Sequence, residues 1–411
     1  MWLWLHTYYF TTECTGRLIM SVNLDAIPDK APEIPRPVTA RWIIAGVAIF
    51  LISVGTTLWF WVGDKIGFKF WFTATCLPVL IWGSAFALRR IAYKLERVGT
   101  ASWNKERDLL IASELKRGQR YVWLVGEHLI NALESDGIKT DLAALKRSPI
   151  LEPVLARDNA SVIRHSALPD RETAADILNS YVTDICGNAT NMLARLPTDM
   201  PCYIAFDACD SVADITDKLT SGIQYPLRRI RNLSGFGILD YWLDRHHDIP
   251  SALLVISAQL YDIPPQDSAE SITIMLVSNR QLPVKFLSSV RIHRPQISKD
   301  ADLPQALNKA MLWGKLPKTA PLRGWITGGK MASEERWSQA CATYAPELTA
   351  HRNVNIDTVV GYAGTAAPWQ SVILAARQCH VDEEPQIVAV ESTPSYHQLC
   401  AVTPAISSGI V

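Results

Sequence analysis

The stretch Val360-Gly361-Tyr362-Ala363-Gly364-Thr365-Ala366-Ala367-Pro368-Trp369 decides how this chain of 411 residues is read. A β-type run, Thr358 to Val360, leads in, and the glycines that follow supply a tight turn. Pro368 suits the first turn of a helix, where its missing N–H has no intrahelical partner to lose. Trp369 to Arg377 then reads as an apolar helix, and Gln386 to Val390, with Ile387-Val388-Ala389-Val390 at its centre, as a buried strand. Strand, glycine turn, helix and strand is the unit from which α/β domains are built.

Outward from this unit the same alternation continues. Strands are predicted at Tyr121 to Val125, Cys202 to Phe206, Ala252 to Ser257, Ile272 to Val277 and Trp325 to Thr327. Helices are predicted at Glu172 to Leu196, Ser211 to Leu219, Gly237 to Arg245, Leu303 to Trp313 and Ser333 to Tyr344. No short-period repeat, low-complexity tract or heptad pattern interrupts them.

The N-terminal part is different. Trp42 to Val62 (WIIAGVAIFLISVGTTLWFWV) is uncharged and has the roughly 20 residues that a helix needs to cross the hydrocarbon core. Phe70 to Leu88 is similar, and its Pro78 is tolerable in a membrane helix. Only the short turn 63–69 separates them, so residues 41–90 are expected to form a two-helix transmembrane hairpin with an aromatic belt at the turn. Lys30, Arg36 and Arg41 precede it, and Arg89, Arg90, Lys94 and Arg97 follow it, against two lysines in the turn. By the positive-inside rule both termini lie in the cytoplasm, which predicts a two-pass protein of the inner (cytoplasmic) membrane with its large domain inside. Residues 1–40 are expected to be a disordered tail, residues 91–114 a helical connector and residues 115–411 the cytoplasmic domain. Residues 1–17 hold no basic cluster ahead of an apolar core and so make no signal peptide; Met20 is the expected start, with residues 1–19 untranslated.

Lys plus Arg and Asp plus Glu both number 40, so no net field favours nucleic acid, and none is expected as a partner. The eight cysteines lack a CxxC pair or regular spacing, which fits reduced thiols rather than a disulfide framework or a metal site. Neither a metal nor a cofactor is expected.

Several motifs suggest chemistry and fall short of it. Gly324-Trp325-Ile326-Thr327-Gly328-Gly329-Lys330-Met331 approaches the phosphate-binding loop, but Met331 replaces the hydroxyl that holds Mg²⁺, so a glycine-rich turn explains it as well. His246-His247-Asp248 lacks the i, i+4 spacing that converges on one ion and reads as a solvated helix end. Cys209 follows a strand, where a nucleophile could stand, without an identifiable histidine partner. Ser234, in Asn232-Leu233-Ser234-Gly235-Phe236-Gly237, is outside any G-x-S-x-G elbow and reads as a helix N-cap.

Val360 to Trp369 resembles the G-H-x-x-x-A-A-G stretch of β-ketoacyl synthases, with Tyr362 in the place of the histidine. Pro321 to Ala340 looks like the strand, catalytic-histidine turn and acidic helix of those enzymes, with Thr327 or Gly328 where the second histidine would be. Leu233 to Gln259 resembles their nucleophile helix and the next strand, with Ser234 or Gly235 near the cysteine position. The likeness covers roughly residues 200 to 400 by order and spacing. It implies a thiolase-like five-layered α-β-α-β-α domain of two similar halves, near 115–270 and 271–405, of a kind that commonly pairs through a strand edge into homodimers.

Synthase chemistry needs a thiolate to accept the acyl group and two imidazoles to stabilise the oxyanion. Departure at all three positions, Ser234, Thr327 and Tyr362, leaves no catalytic residue and argues for a scaffold rather than an enzyme. A second resemblance is to accessory proteins of bacterial type VI secretion of the lipase-adaptor kind. It implies an adaptor that holds a protein client, for example a secretion effector, at the lipid bilayer. The alternatives are an acyl-chain-processing enzyme, with Ser234 or Cys209 as nucleophile and Tyr362 as hydrogen-bond donor, and a non-catalytic lipid or acyl-group binder.

Overall fold

A computed structural model describes residues 22, 24–63, 65, 67–156, 161–168, 173–209, 216–282, 290–299, 302–328, 331, 335–393 and 396–405. The expected start at Met20, the first residues of the helices expected from Glu172, Ser211 and Ser333, and Gly329 and Lys330 of the glycine turn lie outside the described residues. The chain divides into two units, Asn23–Glu114 and, from Leu115, the α/β domain.

In the first unit, α1 (Thr39–Phe60) and α2 (Phe68–Gly118) are long and apolar enough to cross a membrane. Along α1, Ile43, Ile44, Val47, Leu51 and Ile52 are exposed, as apolar residues that face lipid would be. The helices meet where Trp82 covers Gly46: a Cβ there would lie 2.5 Å from the indole. Trp82 Nε1 donates to the Trp42 carbonyl at 3.1 Å. A π turn, Phe72–Cys76, precedes Pro78 and absorbs the break in the hydrogen-bond ladder. The expected connector is no separate element, because α2 runs unbroken to Gly118. The segment expected as a disordered tail is, over residues 24–38, a 3-10 turn (Leu24–Ala26) and a stretch without regular secondary structure that is tied to α2. Ala31 and Asn104 exchange two hydrogen bonds there.

The second unit begins with β1 (Tyr121–Asn131), α3 (Ala132–Ser135), α4 (Thr140–Lys146) and the short strands β2 (Pro153–Leu155) and β3 (Val162–Ser166). Next come α5 (Ala174–Leu193), β4 (Cys202–Ala208), α6 (Thr216–Gly222), β5 (Leu227–Ile230), α7 (Phe236–Arg245), β6 (Ala252–Gln259), β7 (Ser268–Ala269) and β8 (Ser271–Ser278). The chain closes with β9 (Val290–His293), β10 (Gln296–Lys299), α8 (Leu303–Trp313), β11 (Arg323–Thr327), α9 (Glu335–Tyr344), β12 (Asn353–Asn355), α10 (Ala367–Asp382), β13 (Gln386–Thr393) and β14 (Tyr396–Pro404).

The main sheet runs β12-β11-β13-β14-β9-β1-β8-β6-β4-β5. Numbered within each half, both sides of the β9–β1 junction read third, second, fourth, fifth, first. Directions agree too: second pairs parallel with third and fourth, while fifth is antiparallel to both neighbours. The first strands, β1 and β9, pair antiparallel in the middle. The main sheet of the α/β domain is therefore an internal repeat, and its boundary falls after β8 rather than near residue 270, since β8 completes the first half.

Alternation along the strands sorts side chains into separate cores. On β6, Leu253 and Val255 join a core shared with α7 and α10, whereas Leu254 and Ile256 face α5. On β13, Val388 and Val390 enter the shared core, and Ile387 and Ala389 enter one with α8 and α9. Helix α10 buries 12 of its 16 residues, which fits an element covered on nearly all sides; α5 buries a stripe. Thr358 to Val360 is not a strand. Asn355 accepts from the Asp357 backbone N–H, turns the chain into a 3-10 helix (Ile356–Thr358), and so shifts the strand to β12.

Candidate functional site

Helix α7 starts from Gly235, whose φ of 52° and ψ of −146° belong to glycine. A Cβ at Gly235 would stand 2.8 Å from Gln398 Oε1. The first N–H groups of a helix have no internal partner and bind anions or an oxyanion when left open. Here the chain's own side chains take two of them. Gly235 N–H donates to Asp207 Oδ2 at 2.7 Å, and Phe236 N–H donates to Gln398 Oε1 at 2.8 Å. Trp369 Nε1 donates to the same Asp207 oxygen at 2.7 Å. Burial pushes the Asp207 carboxyl up to about 6, against the opposing pull of these two donors.

A second set lies beside the end of β13. Thr327 Oγ1 donates to Asp357 Oδ1 at 2.6 Å, and Gly328 N–H to Asp357 Oδ2 at 2.7 Å. Burial lifts Asp357 to about 6 as well. Gly328, at φ 108°, passes so close to Glu391 that a Cβ would lie 2.4 Å from it. Tyr362 donates its hydroxyl to the Glu391 carbonyl at 2.9 Å, and burial, then Asp357, raises its phenol above the usual range. Gly361, at φ 93°, lets this segment pass against Ser268, where Ala269 N–H donates to the Tyr362 carbonyl.

Register joins the two sets: Val390 faces Gln398 and Glu391 faces His397 across β13 and β14. Gln398 at Gly235 and Glu391 at Tyr362 are thus on adjacent rungs of one ladder. The fold brings together Gly235, Thr327 and Tyr362, which are far apart in the chain. None of the side chains in these contacts is a thiol or an imidazole. Asp207, Asp357, Glu391 and Gln398 were not singled out in the sequence; the only hint was an Asp at the end of a buried strand beside Cys209.

Ser234 stays outside, exposed, and the N-cap is Gly235 rather than Ser234. Cys209 Sγ donates to the Leu260 carbonyl at 3.4 Å. His246 ends α7 and packs 4.0 Å from the Tyr203 ring, while Asn279 Nδ2 donates to its carbonyl at 2.6 Å. In the glycine-rich turn, Gly328 N–H meets Asp357, and Met331 N–H meets Glu391 Oε2 at 3.1 Å. Carboxylates therefore occupy these two backbone donors, which a bound phosphate would otherwise use. Cys400 Sγ donates to the His293 carbonyl, not to its ring. The His293 imidazole, held down to about 3 by burial, bonds Thr403. Among the described residues no group of three His, Cys, Asp or Glu side chains could hold a metal ion. A surface cavity of about 390 Å³, lined by Phe206, Asp217, Arg229, Ile230, Arg231 and Asn232, includes none of Gly235, Thr327 and Tyr362.

No family model and no curated protein matches the sequence. Solved structures do. The PfaC keto synthase-chain length factor is similar at 9% identity over 71% of this chain and 43% of that chain, with a TM-score of 0.51. The type II ketosynthase of the AntDE:AntF complex matches at 12% identity over 69% and 99% of the two chains, with a TM-score of 0.47. The 3-oxoacyl-(acyl carrier protein) synthase III of Xanthomonas oryzae matches at 10% over 69% and 98%, with a TM-score of 0.41. At 9% identity the likeness to the first of these is one of architecture, and with the repeated half-sheets it makes the α/β domain of this chain thiolase-like in fold.

Proposed function

We propose that this chain is a membrane-anchored thiolase-like pseudoenzyme that works by binding protein. In this reading α1 and α2 span the inner membrane, the α/β domain lies in the cytoplasm as a five-layered α-β-α-β-α body, and Ser234, Thr327 and Tyr362 mark degenerate catalytic positions. One observation carries it: the N–H groups at the start of α7, where the resemblance puts the nucleophile, are held by Asp207 and Gln398. Gly235 has no side chain to act as a nucleophile, and donors already taken supply no oxyanion hole. Thr327 and Tyr362 spend their hydroxyls on Asp357 and the Glu391 carbonyl, so neither replaces an imidazole.

The role left is that of a surface. A domain tethered to a bilayer gains effective concentration for a partner at the same membrane. The client is a cytoplasmic protein, and a type VI secretion effector is the instance that the second resemblance suggests. The test has two arms on detergent-extracted full-length chain. Acyl-thioester probes are expected to leave it unlabelled, and affinity capture is expected to return one reproducible partner. Labelling that disappears in Cys209→Ala or Ser234→Ala would instead establish the acyl-processing alternative. Native mass spectrometry with an acyl lipid retained by the α/β domain would favour a lipid binder.

A further inference from the structure

Where α1 and α2 meet, aromatic and cationic side chains form one cluster. Phe86 stacks on Trp82 with ring centroids 5.3 Å apart and lies 6.2 Å from Trp42 of α1. Arg90 places its guanidinium 5.8 Å from the centre of the Phe86 ring. The cluster sets a common level on both helices: Arg41 stands next to Trp42, and Arg89 and Arg90 follow Leu88, the last residue of the apolar run of α2. Beyond it Phe86, Arg90, Lys94 and Arg97 recur at i, i+4, i+8 and i+11, which puts them along one face of α2. At one end of that face Phe86 lies against Trp42 of α1.

The incoming chain follows the same face. Arg107 Nε donates to the Pro28 carbonyl at 2.6 Å, Lys30 pairs with Asp108 at 3.2 Å, and Ala31 bonds Asn104. The chain then returns to the start of α1 at Thr39, with Arg36 three residues before it. Arg36, Arg41, Arg89, Arg90, Lys94 and Arg97 are all exposed, and the acidic residues interspersed with them are Glu33 and Glu96. A predominantly positive collar, six cations against two carboxylates, at the rim of an apolar helix pair attracts anionic headgroups, and aromatic rings at that depth fix its position.

We infer that this collar binds the phosphate groups of anionic phospholipids in the leaflet on the side of the α/β domain, so that the anchor selects its lipid neighbours as well as holding the chain. The inference rests on the reading of α1 and α2 as membrane spans. Full-length chain would be reconstituted in vesicles of phosphatidylcholine alone and of phosphatidylcholine mixed with phosphatidylglycerol. Flotation and resistance to alkaline extraction report insertion; native mass spectrometry of lipid that stays bound reports selectivity.

Insertion is expected in both compositions, with phosphatidylglycerol enriched on the protein. Each cation removed should weaken its retention by about fivefold at low salt. The set Arg90→Gln, Lys94→Gln and Arg97→Gln should therefore abolish enrichment while insertion persists. Normal insertion with no preference between the two lipids would overturn the collar and leave the spans intact. Failure to insert in either vesicle would overturn both. Displacement of the lipid by free glycerol phosphate would identify a soluble phosphate site instead and would also refute the inference.

Discussion

Gly235 and Gln398 make a sharp pair of residues to test. Alanine at Gly235 must hold a left-handed turn and push a Cβ onto the Gln398 amide, 2.8 Å away. Gly235→Ala is expected to lower stability in urea titration by about 1–3 kcal/mol, the cost of such strain. In a Gln398→Ala background the additional loss should shrink, because the clash is shared between the two positions. Additive losses would mean that the side chains do not meet. Asp207 and Asp357 give a pH signature. Both carboxyls are raised from 3.8 to about 6, chiefly by burial. Between those values the folded chain keeps protons that the unfolded chain has released. Their contribution to stability is therefore fully present below pH 3.8 and is lost as pH rises through about 6, roughly 3 kcal/mol for each group. Asp207→Asn keeps an acceptor for Trp369 and Gly235, so its melting temperature should fall less between pH 4 and 7 than that of the parent chain. The identity of the groups that fill the site was not legible in the sequence. Gln398 reaches α7 only through the pairing of β13 with β14, and a contact between residues 236 and 398 leaves no local pattern.

Elements whose apolar residues are continuous were legible: β4, β6, β8, β11 and β13 stand where their hydrophobic runs lie, and α8 matches its expected range of Leu303 to Trp313. Strands that owe their place to neighbours were not. β14 begins Tyr396-His397-Gln398 and reads as polar, yet His397 and Gln398 are buried by the strands beside it. Thr358 to Val360 misled because valine at the end of a 3-10 turn looks like valine in a strand. The resemblance to the synthases drew attention to Gly235, Thr327 and Tyr362, which the fold brings near one another, whereas Ser234 is exposed. Helix α10 carries the element-scale prediction. Its Arg377 forks onto both Glu127 oxygens at 2.9 and 3.0 Å and reaches Glu134 at 2.6 Å, tying the second half to the start of the first. Arg377→Ala leaves these partly buried carboxylates without their cation and should cost about 3–5 kcal/mol in denaturant unfolding. A loss under 1 kcal/mol would show that solvent already screens the cluster.

For the molecule as a whole, two apolar helices come first and a repeated α/β sheet follows. Their arrangement predicts that the chain stays with the membrane fraction in alkaline carbonate, and that a reporter fused after residue 405 is active in the cytoplasm. A reporter active only in the periplasm would reverse the orientation. The repeat itself bears on how such a chain is made. Strand β1 is among the first parts of the α/β domain to leave the ribosome, but its neighbours are β8 and β9, and β9 opens the other half. Until synthesis has passed His293, one long apolar edge waits unpaired. Unpaired edges are where chains aggregate. Newly made copies of this protein should therefore depend on chaperone cover for much of their synthesis, and slowing translation within β9 should lengthen that dependence.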